Sequence, residues 1–175
     1  MERIPSSKSD KLNIQSIVLI GVMVATIEAA KWAISFLMNV EIVTLLIILY
    51  TLFFGKKVFF AIYSFVLIEG ILYGFGIWWI MYLYVWTILA LLTLCFKQQK
   101  SVWFWSIFSA FYGLSFGALC SIPYFFIGGA SMAFGWWVAG IPADILHGVS
   151  NFILCLILFP PLRNILQKIS LFFPV

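Results

Sequence analysis

Five ionisable side chains lie inside long apolar stretches of the sequence, where a charge is costly. They are Glu28, Lys31, Glu69, Asp144 and His147. A charged group inside a membrane-spanning helix costs at least about 2.5 kcal/mol, so such residues mark binding sites, ion pathways or structural ion pairs. Carboxylates, an amine and an imidazole can together bind a polar ligand, and the combination of an aspartate with a histidine also suits general acid–base chemistry.

The residues around Asp144 form a polar stripe along one predicted helix face. At about 100° per residue, the stripe consists of Gly140, Asp144, His147, Gly148, Asn151 and Cys155. A face of this kind is not expected to contact lipid. Two interpretations stay open: a ligand-binding cavity to which Asn151 also contributes, or a helix-packing seam in which Asp144 and His147 hydrogen-bond each other.

Aromatic residues make up 19% of the chain, and eight of them are tryptophans. Trp78, Trp79, Trp136 and Trp137 cluster at the predicted outer ends of two apolar runs. Tryptophans at such positions commonly anchor helices at the membrane interface. Alternatively, flat rings can cover a pocket and stack on a planar ligand, and for this role we select Trp78, Trp79 and Trp137.

The overall composition indicates that these residues sit in a membrane protein. Hydrophobic residues account for 65% of the 175-residue chain and charged residues for 9%, against roughly 45–50% and about 25% in soluble domains. The mean hydropathy is +1.14. This composition excludes soluble enzymes, nucleic-acid-binding proteins and disordered proteins.

Six apolar runs are candidates for membrane spans of about 20 residues. They are Ile14–Leu37, Val40–Phe54, Val58–Tyr73, Ile77–Phe96, Val102–Phe126 and Trp137–Phe159. The sequence therefore predicts an all-α fold, a bundle of six transmembrane helices forming a single domain over residues 1–175. Residues 1–12 and 163–175 are predicted to be short tails.

The basic residues fall on alternate connections between these runs. They are Arg3, Lys8, Lys11, Lys56, Lys57, Lys97, Lys100, Arg163 and Lys168. The positive-inside rule places both tails and these connections in the cytoplasm, as expected for a multi-pass protein of a bacterial-type cell membrane. With this orientation, all five intramembrane ionisable residues lie at the middle of the membrane or in its outer half.

Motifs for catalysis, metal binding or processing are missing from the sequence. Cys95, Cys120 and Cys155 form no C-x-x-C pair, so neither a disulfide framework nor a zinc site is predicted. We find no nucleotide-binding loop and no hydrolase or metalloprotease signature, and no cleavable signal peptide. No metal or cofactor is therefore expected.

A ridge of small residues follows the first apolar run. Gly21, Ala25, Ala29 and Ala33 recur every four residues, a spacing that lets another helix approach closely. Lys31 points to nearly the opposite side of that helix. Gly21, Ala25 and Ala29 are therefore predicted to dock on a partner, the alternative being that the ridge packs within the bundle.

The chain resembles an S component, the substrate-binding membrane subunit of an energy-coupling-factor (ECF) vitamin transporter. Ala25 to Ala29 is similar to the A-x-x-x-A motif through which S components dock. The segment from Gly140 to Phe152 (GIPADILHGVSNF) resembles the start of the last helix in many S components, and Leu158 to Leu162 also fits that pattern. The resemblance covers nearly the whole chain.

The resemblance implies a protein that is not an enzyme, together with a mechanism and a set of partners. An S component captures a vitamin-like micronutrient from outside with high affinity, docks on a transmembrane coupling subunit with two ATPase subunits, and topples to release the ligand inward. Lys31, Glu69, Asp144, His147 and Asn151 would then supply polar contacts to the ligand.

Two other functions are compatible with the same residues. The charges of a structural or assembly subunit would only fix helix pairing, whereas a small intramembrane enzyme would use Asp144 and His147 as an acid–base pair.

Overall fold

A computed structural model describes residues 14–37 and 40–173, and within these residues it contains helices and no strands. The helices are α1 (Ile14–Ala33), α2 (Val43–Phe54), α3 (Val58–Tyr73), α4 (Ile77–Cys95), α5 (Val102–Leu114), α6 (Phe116–Cys120) and α7 (Ile122–Ser170). A 3₁₀ turn, Gly55–Lys57, joins α2 to α3. The prediction of an all-α chain is confirmed for the described residues.

The length and apolar composition of the helices are those of a membrane-embedded protein. Four segments of the described chain are long and apolar enough to cross a membrane: Ile14–Ala33, Val43–Tyr73, Ile77–Cys95 and Ile122–Ser170. The second of these comprises α2, the turn and α3. Because α2 has 12 residues, it is about 18 Å long at about 1.5 Å per residue, shorter than a hydrocarbon core of about 30 Å.

Helix α2 forms the centre of the bundle. Ten of its residues are buried, and it packs against α4 and α7. Helices α1 and α4 pack on α3, while α5 runs along α7. Large apolar side chains such as Ile17, Val22 and Leu67 are exposed on the outside, which is the arrangement expected when lipid replaces water as the solvent.

The fifth apolar run is divided rather than continuous. Helix α5 ends at Leu114, and the short helix α6 begins at Phe116, with Ser115 between them. The amide of Ser115 still donates to carbonyls of α5, so the chain keeps its direction while the regular hydrogen-bond ladder is interrupted. Apolar patterning alone does not reveal such a break, because the residues on both sides of it are apolar.

The last apolar run lies within a much longer helix. Helix α7 starts at Ile122, bends at Gly128 and Gly129 and ends at Ser170. Gly129 has a φ of +75°, a left-handed conformation that glycine adopts at little cost. Beyond Phe159 the helix continues through polar residues, because hydropathy marks the apolar part of a helix and not its end.

Some of the sequence predictions concern residues that the structure does not describe. The tail over residues 1–12, with Arg3, Lys8 and Lys11, and the connection containing Met38 and Asn39 lie outside the described residues.

Candidate functional site

A cavity of about 380 Å³ lies between α4, α6 and α7. It is lined by Trp78, Met81, Tyr82, Phe116, Gly117, Cys120, Trp136, Ala139, Gly140, Ala143, Asp144 and His147. Its volume falls within the range of roughly 300–1,000 Å³ that is common for small-molecule sites. Aromatic and small apolar residues form most of the wall, and Asp144 and His147 supply its ionisable groups.

Asp144 is the most constrained polar group of the cavity wall. Its side chain is buried, with 5% of the residue exposed. Oδ1 accepts a hydrogen bond from the backbone N–H of Gly117 at 2.9 Å, whereas Oδ2 is buried without a hydrogen-bond partner among the described residues. An unmet buried acceptor costs about 1–3 kcal/mol or more, so a further hydrogen-bond donor would stabilise this carboxylate. Oδ2 lies beside Gly117 and has almost no accessible surface.

The break between α5 and α6 positions Asp144. Because the helix is interrupted at Ser115, the N–H of Gly117 is free to donate across to α7 rather than along its own helix. A Cβ atom at position 117 would collide with the Asp144 carboxylate, so a glycine permits the close approach. The hydroxyl of Tyr84 donates to the carbonyl of Leu119 at 2.7 Å and ties α6 to α4.

A series of aromatic rings runs beside the cavity and ends at His147. Ring centroids are 5.5 Å apart for Trp78 and Tyr82, 5.5 Å for Tyr82 and Trp86, and 5.7 Å for Trp86 and Phe116. Phe116 then meets the His147 imidazole edge-on at 5.4 Å. This geometry fixes the imidazole against a rigid wall.

His147 also borders a second cavity of about 320 Å³. This cavity is lined by Lys31, Ile34, Ser35, Leu37, Val40, Glu41, Ile42 and His147. The two cavities therefore share one lining side chain, with Asp144 in the wall of the first and Lys31 and Glu41 in the wall of the second.

Lys31 and Glu69 form an ion pair between α1 and α3. The pair is asymmetric, since the Glu69 side chain is almost completely buried and that of Lys31 is 30% exposed. The Lys31 ammonium also lies 4.9 Å from the ring centroid of Tyr73, and Glu28 interacts electrostatically with both members of the pair. The charge of Lys31 is thus already satisfied within the protein.

The polar stripe of α7 divides into two parts. Gly140, Asp144 and His147 border the cavity, as the ligand-binding interpretation predicts. Farther along, Asn151 packs against α5, where its backbone carbonyl accepts from the Ser109 hydroxyl at 3.4 Å. Among the described residues, Asp144 Oδ1 accepts from the Gly117 N–H and Oδ2 has no partner, so the two side chains of Asp144 and His147 are not hydrogen-bonded.

Four of the predicted ligand-binding residues lie away from both cavities. The Trp79 indole N–H donates to the carbonyl of Val66 at 2.8 Å and stabilises the contact between α3 and α4. Trp137 is exposed and meets Phe134. Asn151 and Glu69 are buried, the first in the seam with α5 and the second in its ion pair.

The structure adds residues that sequence reasoning did not select. Tyr82 and Trp136 line the cavity, and their positions relative to Trp78 and Trp137 could have suggested them. Phe116 and Gly117 could not be found in this way, because their role depends on the break at Ser115. Glu41, beside Lys31 in the second cavity, was not singled out either.

Gly21, Ala25 and Ala29 lie on the exposed side of α1. A Cβ atom at Gly21 would meet nothing within 4 Å. The ridge is therefore open along the described bundle, and its docking role stays a prediction.

Charged residues separate to opposite ends of the described chain. Glu28, Glu41, Glu69 and Asp144 are found with Lys31 and His147 at the end that holds the two cavities. Lys97, Lys100 and Arg163 surround a small hollow of about 170 Å³ at the other end. No group of three or more possible metal ligands occurs among the described residues.

Comparison with protein-family models, with curated proteins and with solved structures finds no match for this chain.

Proposed function

We propose that the protein is a membrane-embedded binding protein that captures a small molecule in the cavity beside Asp144. The observation that carries the proposal is the Asp144 carboxylate, which lines a cavity of about 380 Å³ while its Oδ2 atom is buried and unpartnered. A buried acceptor that only structural packing required would be expected to have a partner within the protein. The proposal involves binding and no chemical change of the ligand.

Within this proposal the protein acts as the substrate-binding subunit of an ECF-type importer for a vitamin-like micronutrient. The motif resemblance and the position of the two cavities at one end of the described chain, opposite Lys97, Lys100 and Arg163, support this assignment. The chain would cross the membrane six times: as α1, α2, α3, α4, the α5–α6 segment with the start of α7, and the remainder of α7. The cavity end would face the outside.

The cytoplasmic placement of both termini is supported by the clustering of Lys97, Lys100 and Arg163 at the end opposite the cavities. Cysteines introduced at Gly76 and Ser131 should react with an impermeant maleimide on intact cells, while a cysteine at Gln99 should react only after the cells are opened. Reaction at Gln99 in intact cells would reverse the orientation.

Retention of a ligand is the direct test of binding. The full chain, purified in mild detergent, should carry a small molecule that mass spectrometry detects after denaturation, and Asp144→Ala should retain much less of it. A purified protein that is folded by thermal unfolding but holds no small molecule, in a host grown on rich medium, would favour a structural or assembly subunit.

The exposed ridge of α1 supports docking on a transmembrane coupling subunit that associates with two ATPase subunits. Ala25→Trp and Ala29→Trp should abolish uptake and complex formation while leaving ligand retention intact, because a bulky ring prevents close helix approach. Ile157→Trp provides a control, since this side chain is exposed on α7, away from the ridge, and is already large. Equal loss of ligand retention in both ridge variants would mean that the ridge stabilises the bundle itself.

A further inference from the structure

Building on the proposed function, we infer that the ligand of the Asp144 cavity is an organic cation with a flat nitrogen-containing aromatic ring and at least one N–H donor. Three independent features of the described residues lead to this class: the excess of carboxylates at the cavity end, the aromatic wall and the unpartnered oxygen of Asp144.

The first feature is the charge of the cavity end. Carboxylates outnumber ammonium groups there by four to one among the described residues, with Glu28, Glu41, Glu69 and Asp144 against Lys31. Lys31 is engaged by Glu69, so it is not available to an anionic ligand. Ionised carboxylates in a low-dielectric environment attract cations and repel carboxylates and phosphates.

The second feature is the wall itself. Trp78, Tyr82, Phe116 and Trp136 supply rings to one cavity, and Trp136 is held by stacking on Tyr124 at a centroid distance of 4.1 Å. The faces of aromatic rings carry partial negative charge, so they favour both flat ligands and cations.

The third feature is the Asp144 carboxylate, which would accept a hydrogen bond from the ligand. Asp144 Oδ1 is occupied by the Gly117 N–H. Oδ2 has no hydrogen-bond partner among the described residues but is closed off beside Gly117, so a ligand reaches it when the Asp144 side chain turns toward the cavity. An N–H that carries part of a positive charge would form a charge-assisted hydrogen bond with this oxygen, and such bonds are about twice as strong as neutral ones. A ligand with only acceptor groups would leave the carboxylate uncompensated.

A matched set of three probes tests the inference on the full chain in detergent or nanodiscs. The probes are γ-aminoquinaldine, which is protonated near neutral pH and carries N–H donors, quinaldine, which is neutral with the same ring, and quinaldate, which is anionic. Competition with retained ligand, or calorimetry on emptied protein, measures each affinity. We expect the cation to bind at least about tenfold more tightly than quinaldine, and quinaldate to bind most weakly.

Asp144→Asn keeps the size of the side chain and removes its charge. It should weaken binding of the cation about tenfold or more and bring it close to that of quinaldine, with little effect on quinaldine itself. Trp136→Phe, which keeps an aromatic ring, should largely preserve the preference, and Trp136→Leu should reduce it. Thermal unfolding of each variant separates loss of binding from loss of folding.

The remaining outcomes separate failure of this inference from failure of the proposed function. Tighter binding of quinaldine or quinaldate, or a retained natural ligand that mass spectrometry identifies as an anion, would overturn the cationic class while the binding function stands. If folded protein binds none of the probes and retains no small molecule, both the class and the proposed function are wrong.

Discussion

The two ends of this molecule use the same kinds of helices in opposite ways. At one end, aromatic rings and carboxylates surround two cavities that are both lined by His147. At the other end, basic residues surround a smaller hollow, and Arg163 donates to the backbone carbonyl of Lys100 at 3.3 Å. Buried ionisable groups occur at the first end, whereas the basic side chains of the second are exposed or partly exposed.

In a small membrane protein, ligand binding and orientation in the membrane can therefore depend on different ends of the molecule. Exposed lysines and arginines at a helix end bias the topology without needing a defined partner. A buried carboxylate must instead be held by specific donors, since leaving it unpaired is costly. Substitutions at the cavity end are therefore expected to have larger effects than similar changes at the basic end.

The largest effect is expected for the ion pair between α1 and α3. Lys31→Met leaves the buried Glu69 carboxylate without its cation, which should lower the free energy of unfolding by about 3–5 kcal/mol. The double variant Lys31→Met/Glu69→Met should recover most of the loss, because no charge is then left unpaired. Thermal unfolding in detergent measures both; equal destabilisation in the single and double variants would show that packing, not charge, dominates.

A smaller loss is expected where α6 meets Asp144. Gly117→Ala introduces a methyl group into the space of the carboxylate and should cost about 1–3 kcal/mol of stability, together with a several-fold loss of ligand affinity. Gly135→Ala is the matched control, since a Cβ there meets nothing within 4 Å. If both variants behave like the unmodified protein, Asp144 is not held as tightly as described.

The aromatic wall should make a more modest contribution to binding. Trp136→Ala removes one ring of the cavity and should weaken binding of the retained ligand roughly two- to tenfold, since such ring contacts contribute about 0.5–1.5 kcal/mol. Trp103→Ala, a change at an exposed tryptophan away from both cavities, should not alter affinity. A titration in which the two variants lose affinity equally would contradict the distinction between the two ends.

The smallest effect is expected at the basic end. Arg163→Gln removes a long, weak hydrogen bond from a solvent-accessible side chain, so stability should change by no more than about 0.5 kcal/mol and ligand affinity should stay unchanged. The thermal stability and ligand affinity of this variant provide the baseline for Lys31→Met, Gly117→Ala and Trp136→Ala. A loss as large as that of Gly117→Ala would mean that the two ends are coupled.

Composition and residue spacing were enough to predict that the protein is surrounded by lipid and that its fold is helical. A composition with 65% hydrophobic and 9% charged residues cannot cover a water-facing surface, and a chain in lipid must satisfy its backbone within helices. Helical periodicity also placed Asp144 and His147 on an inward face, because side-chain direction along a helix depends only on spacing. The apolar runs matched most helix positions for the same reason.

Which polar residues line the same cavity follows from contacts between helices and could not be predicted from the sequence. The break at Ser115 leaves the Gly117 N–H to donate to Asp144, and apolar patterning does not reveal this break because the residues around it are mostly apolar. The partners of Trp79 and Asn151 likewise depend on how α3 packs on α4 and how α5 packs on α7. Trp79 donates to the carbonyl of Val66 on α3, and Asn151 is bonded to Ser109 on α5, whereas Trp136 lines the cavity. Spacing along one helix fixes the face of a side chain, whereas its partner is fixed by the other helices of the bundle.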